Sequence, residues 1–245
     1  MKGRQSKLAG MIGGLGPLST IYYYRLLVSE CRRVCGHAPR LLIYTIPVEE
    51  MCRSIREDRI DMVASLLLEA LRSLARGGAE VVFISANTPH IAWRAFREEA
   101  DRLGVEPVSI VDAAVEHVAK RGYRRVAVLG AKRLYESGIY QQALREKGVE
   151  VVELPEDIIE EVDELITVVA HGEDEQVHRA RAADIVKRVE ALGAEAAILA
   201  CTELPYLLEG VNTGIELVDT ARVQVEEVIR RVVGLGEDGS HAARP

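Results

Sequence analysis

Seven short apolar runs punctuate the chain, at 8–14 (LAGMIGG), 41–47 (LLIYTIP), 79–85 (AEVVFIS), 107–111 (PVSIV), 125–130 (RVAVLG), 150–154 (EVVEL) and 195–200 (EAAILA). Each is rich in Val, Ile and Ala and largely continuous in its apolarity, the pattern of strands covered on both faces. The segments between them keep a different period. At 58–77 and 174–193 apolar residues recur at helical spacing and the pattern stops at a glycine, which predicts amphipathic helices. Strands alternating with helices predict an α/β protein built on parallel sheet.

The chain also repeats itself. "IGGLGPLSTIYYYRLL" (12–27) lies against "LGAKRLYESGIYQQAL" (129–144), with Gly13 and Gly130, and Tyr23 and Tyr140, each 117 residues apart. A second match has nearly the same offset: Ala86 in "ISANTPH" (84–90) and Cys201 in "LACTEL" (199–204) are 115 apart, each just after a predicted strand. Two matches at one period predict a duplicated unit. The expected architecture is two similar doubly wound parallel-sheet halves related by pseudo-symmetry, at 1–113 and 114–218, with the active site between them. A helix over 219–236 is expected to return to the first half, and the polar tail after it to fray.

Composition narrows the function. A chain of 245 residues, 48% hydrophobic and 28% charged, can bury a substantial core, and a formal net charge of −7 gives no electrostatic case for nucleic acid or an anionic membrane. No apolar stretch approaches the roughly 20 residues of a spanning helix, so a cytoplasmic protein with a small-molecule partner is expected. The four cysteines, Cys31, Cys35, Cys52 and Cys201, are too few and dispersed for a disulfide scaffold. Cys31 and Cys35 lie one helical turn apart with no second Cys/His pair nearby, which favours packing over metal binding.

In parallel α/β sheets the loops at the carboxyl ends of the strands form the ligand crevice. Cys201, followed by Thr202 and Glu203, is expected at such a strand-to-helix turn, where a thiolate is stabilised. In the matching loop Asn87 and Thr88 supply an amide and a hydroxyl suited to a carboxylate, and His90 is read as orienting the loop. The turn "GGLGP" (13–17) lacks the third glycine of a dinucleotide fingerprint. Its Pro17 suits the first helical position, and Gly14 and Gly16 are expected to let backbone approach a ligand. Lys132, just past Gly130, is either a surface cation or a group facing the cleft.

These stretches together, with "VDTARVQVEEVI" near the end, resemble the aspartate/glutamate racemases, a cofactor-independent family, over nearly the whole chain. The resemblance implies an amino-acid substrate or related carboxylate, no cofactor, and a homodimer. It further implies that Asn87, Thr88 and Thr202 bind the α-carboxylate; together with Gly14 and Gly16 of the turn, and Lys132 if it faces the cleft, they make up the expected substrate-binding set. In that family two cysteines flank the α-carbon, one removing the proton as thiolate and the other delivering one as thiol. The second maps onto Cys201 and the first onto Ala86, which carries no proton.

The chain departs from the family elsewhere too. Val48-Glu49 and Glu160-Glu161 stand where aspartate-specific members place an Arg and a Lys, so a distal carboxylate would meet like charge and L-aspartate is expected to bind poorly. Gln224 replaces a His, and Asp219-Thr220 remain as a cap for the last helix. The expected function is a racemase with Cys201 on one face and an altered opposite face. The alternatives are a one-cysteine decarboxylase of the same superfamily and a catalytically silent carboxylate binder.

Overall fold

The computed structural model describes residues 6–170 and 175–235; the first five residues, and the tail expected to fray, lie outside the described residues. The chain divides into two compact units. The first comprises the chain up to Ser85, Ala92–Ser109 and the chain from Gln224, and the second comprises Ala86–Ile91 and Ile110–Val223.

The first unit contains β1 (Ala9–Gly13), α1 (Pro17–Cys35), β2 (Leu41–Thr45), α2 (Val48–Arg56), α3 (Ile60–Arg76), β3 (Val81–Ile84), α4 (Trp93–Leu103) and β4 (Glu106–Val108). Its strands pair in parallel in the order β2-β1-β3-β4. Central β1 and β3 are buried at every position, as their continuous apolar runs require. Helix α3 turns Val63, Leu67, Ala70, Leu71 and Leu74 inward, the stripe that its three- and four-residue spacing predicts. Helix α1 opens on Pro17, whose missing N–H costs nothing there, and closes where Gly36 adopts φ 76° and bonds back to the Arg32 carbonyl. It buries Ser19, Tyr23, Leu27 and Cys31 at intervals of four. Burial first, and Cys35 second, push the Cys31 thiol up to about 11, so it packs as a neutral side chain.

The second unit contains α5 (Ile110–Arg121), β5 (Arg125–Gly130), α6 (Lys132–Ser137), α7 (Ile139–Glu146), β6 (Glu150–Val151), α8 (Glu156–Ala170), α9 (Glu175–Ala191), β7 (Ala196–Ala200), α10 (Leu204–Leu207), β8 (Glu216–Asp219) and the start of α11 (Thr220–Val233). The sheet order, β6-β5-β7-β8, all parallel, repeats that of the first unit strand for strand. Successive residues of a strand face opposite ways, and the packing shows it. Ala127, Leu129, Ala197 and Leu199 join one cluster with α8, α9 and α10. Val126, Val128, Ala196 and Ile198 join another with α5 and α7.

The sequence reading anticipates no strand at β8, whose four residues, Glu-Leu-Val-Asp, are half acidic and form no apolar run. The runs at 107–111 and 150–154 yield only three and two strand residues. Both lie at sheet edges, where pairing on one side holds a shorter ladder, and Pro107 is tolerated in such a strand because its missing N–H leaves no ladder bond unmade on the open side.

Candidate active site

Strand β7 carries the chain through the core of the second unit and ends at Ala200, opposite Gly130 at the end of β5. Cys201 is the next residue, so its thiol stands at the carboxyl end of the sheet, partly exposed and packed against the α8–α10 cluster. Its Sγ donates to Glu203 Oε2 at 2.8 Å, and the Thr202 hydroxyl donates to the same oxygen at 3.1 Å. Burial, and then the adjacent Glu203 carboxylate, hold the Cys201 thiol well above its ordinary range. The expected thiolate is therefore corrected to a thiol. Backbone N–H groups of Thr202 and Glu203 act in the opposite sense, but α10 has a single turn and burial outweighs them.

The loop Ala86–Ile91 leads into a 3₁₀ turn over Thr88–Ala92. Ala86 is 9% exposed and Asn87 5%, while Thr88 is half-buried. His90 lies 3% exposed with both ring nitrogens engaged. The backbone N–H of Ile110 can only donate, so His90 Nε2, 3.2 Å away, accepts. The proton then sits on Nδ1, which donates to the Ala86 carbonyl at 2.9 Å. Burial lowers the imidazole to about 4, and His90 is a neutral staple closing the loop on Ala86. Asn87 Oδ1 accepts from the Tyr140 hydroxyl at 2.6 Å, its Nδ2 donates to Thr220 Oγ1 at 3.2 Å, and Thr220 donates to the Leu199 carbonyl at 2.9 Å. Leu199 lies two residues before Cys201, so hydrogen bonds tie the Asn87 loop to the cysteine's strand.

Lys132 follows β5 at the same carboxyl end of the sheet, but its ammonium is bound by Glu156 and Glu160 of α8, and its backbone N–H donates to Asp163 Oδ1 at 2.8 Å. The two glutamates, Glu156 foremost, raise its basicity. Glu161 turns the other way and pairs with Arg181 at 2.9 Å and Arg188 at 2.6 Å. Asp219 Oδ1 accepts from the N–H groups of Ala221 and Arg222 and caps α11, while Thr220 serves Asn87 instead.

Gly14 and Gly16 belong to the first unit, with φ 80° and 115°. A Cβ on Gly14 would fall 2.3 Å from the Ile46 carbonyl oxygen, so contact with its own unit already demands glycine there. Ser85, the strand neighbour of Ala86, gives its hydroxyl to the Ile12 carbonyl at 2.9 Å. Gln224 is fully buried, its Oε1 accepting from Tyr23 at 2.7 Å and its Nε2 donating to the Val108 carbonyl at 3.0 Å.

Sequence reasoning missed three partners, Glu203 for Cys201 and Tyr140 and Thr220 for Asn87. The signal for Tyr140 was its match to Tyr23 in the repeat. Each of these buried tyrosines donates to a side-chain amide oxygen.

A model of the family described as Asp/Glu/hydantoin racemase matches residues 12–228. Among curated proteins, the broad specificity amino-acid racemase RacX of Bacillus subtilis is 22% identical over 220 residues, covering 87% of this chain and 93% of that one. Among solved structures, an aspartate racemase homologue from Pyrococcus horikoshii is 33% identical with a TM-score of 0.77, covering 91% of this chain and 98% of its own. A candidate Asp/Glu racemase from Yersinia pestis is 26% identical with a TM-score of 0.83, at 93% and 99% coverage.

Proposed function

This chain belongs to the Asp/Glu/hydantoin racemase family, and from that premise we propose that it is a cofactor-independent enzyme of the amino-acid racemase type working the α-carbon from one face. Cys201 is its acid/base, Asn87, Thr88 and Thr202 take the substrate carboxylate, and Ala86 leaves the opposite face without a proton carrier. The observation that carries the reading is the Cys201 thiol held by hydrogen bond on Glu203 at the carboxyl end of β7.

The chemistry follows from the charge states. Removing an α-proton leaves a carbanion delocalised into the carboxylate, which needs hydrogen-bond donors on its oxygens and an acid/base at the carbon. With the thiol held protonated by burial and by Glu203, Cys201 rests as the acid. It becomes the base only when that proton is lost to solvent, against both the burial and the Glu203 carboxylate that hold it. A proton taken up by Cys201 returns from Cys201 to the same face, so the bond is exchanged without inversion.

The test is α-hydrogen exchange in D₂O followed by NMR over a panel of L- and D-amino acids, with the wild type and Cys201→Ala. Exchange from a single enantiomer, absent in the variant, is the expected result. Because the folded-state thiol titrates above its usual range, the thiolate fraction and the exchange rate should rise about tenfold per pH unit from pH 7 to 9. Exchange that survives Cys201→Ala would refute the assignment.

One observation favours a second reading. A neutral thiol is the state that protonates a preformed carbanion, so a malonate-type acid that loses CO₂ would receive its proton from Cys201, the thiolate then regaining one from water. A chiral monocarboxylate formed irreversibly from such an acid, without exchange from amino acids, would select it.

A further inference from the structure

Four polar groups of the second unit form one directed chain, and its direction is set at the far end. The Leu199 carbonyl on β7 only accepts, so the Thr220 hydroxyl gives it its single hydrogen, at 2.9 Å. The Thr220 oxygen must then accept from Asn87, which turns the amide nitrogen toward Thr220 and the amide oxygen toward Tyr140. Tyr140 in turn must donate, at 2.6 Å. Tyr140 and Thr220 are each 1% exposed and Asn87 5%, so water does not compete for these bonds.

An asparagine amide has two orientations that differ by exchange of its oxygen and nitrogen. We propose that Tyr140 and Thr220 are positioning residues that lock the Asn87 amide in one of them, so that its second Nδ2–H, not its oxygen, is what the loop offers to an incoming carboxylate. This rests on the reading of Asn87 as a carboxylate ligand. The reversed amide would oppose one oxygen to another and turn an attraction into a repulsion. The first unit carries the same device: Tyr23 donates to Gln224 Oε1, and Gln224 Nε2 ends on the Val108 carbonyl, which likewise only accepts. In both units the tyrosine comes from the helical segment after the first strand of the sheet. Thr220 is separable from helix capping, because Asp219 makes the cap.

The experiment uses the full chain, ¹⁵N-labelled, with propionate as the carboxylate probe. In the free protein the Asn87 Nδ2 protons should show an Overhauser effect to the Thr220 methyl group, and propionate should shift one of the pair. Thr220→Val and Tyr140→Phe should each weaken propionate binding about ten- to a hundredfold, the worth of a charge-assisted hydrogen bond, while Thr220→Ser restores it. Two results would overturn the positioning role: Nδ2 protons lying against the Tyr140 ring instead of Thr220, or both variants binding propionate like the wild type while Asn87→Ala does not. If Asn87→Ala itself binds propionate normally, the carboxylate reading fails, and the Overhauser effect still decides the amide's orientation.

Discussion

Burying His90 as a neutral ring should make the protein lose stability as pH falls from 7 to 5, above the range where ordinary carboxylates titrate. The ring is 3% exposed, and its Nε2 already faces a backbone donor, so an added proton at that nitrogen would set N–H against N–H in a dry site. In the folded chain burial lowers the imidazole to about 4, whereas in the unfolded chain it returns to the ordinary 6.5. Between these values the unfolded state holds the extra proton. The stabilisation is therefore complete above pH 6.5 and is lost as pH falls toward 4. At ~1.4 kcal/mol per pH unit the whole interval removes about 3 kcal/mol, of which about 2 kcal/mol goes between pH 7 and 5. With a urea m-value of ~2–3 kcal/mol/M, the unfolding midpoint should fall by just under ~1 M between those two pH values. Ordinary carboxylates titrate near pH 4, below this window, and contribute little to it. His90→Gln keeps an acceptor for the Ile110 N–H and loses the bond to Ala86, a cost of about 1–3 kcal/mol that does not vary with pH. The variant should start lower than the wild type and stay flat from pH 7 to 5. Parallel declines in the two proteins would refute the buried, neutral assignment.

Two further outcomes bear on the substrate and on the silent face. L-aspartate should bind with a Kd above ~1 mM in calorimetry, because Lys132 is held by Glu156 and Glu160 and no cation is left over from that cluster for a distal carboxylate; Glu160→Lys should tighten it, and tight binding by the wild type would contradict the reading. Ala86→Cys places a thiol in the loop beside Asn87. It should extend α-proton exchange from one enantiomer to both and produce racemisation at about 10²–10⁴ times the wild-type background, while a folded variant that still exchanges only one enantiomer would show that residue 86 does not serve the second face.

The fold was legible wherever strands lay in the middle of a sheet. Buried on both faces, β1, β3, β7 and β5 beyond its first residue, Arg125, hold only apolar residues, and that continuous run is what periodicity detects. Edge strands escape the constraint. β8 spends half its four residues on acids, and one of them, Asp219, caps the following helix while its neighbour Val218 is buried. The helices announced themselves through their stripes, and the duplication through Gly13/Gly130 and Tyr23/Tyr140, positions where a strand end and a buried hydroxyl each impose a specific residue.

The candidate site was legible only in its outline, for a reason that lies in range. Residue types at the ends of β3 and β7 pointed to Asn87 and Cys201, because a polar residue after a buried strand stands out locally. Their states are decided by atoms distant in sequence. Asn87 takes its orientation from Tyr140, 53 residues on, and from Thr220, 133 residues on. His90 takes its tautomer from Ile110, 20 residues on. Cys201 shows the same limit at short range: Glu203 is two residues away and visible in the sequence, yet whether a nearby carboxylate binds the thiol or turns to solvent depends on packing against the α8–α10 cluster. A strand-to-helix turn alone favours a thiolate; a turn followed by a single helical turn, in a buried setting beside a carboxylate, favours the thiol. The protonation state of the Cys201 thiol is therefore set by burial and Glu203 together, and in the proposed reaction the pH dependence of exchange would read that balance directly.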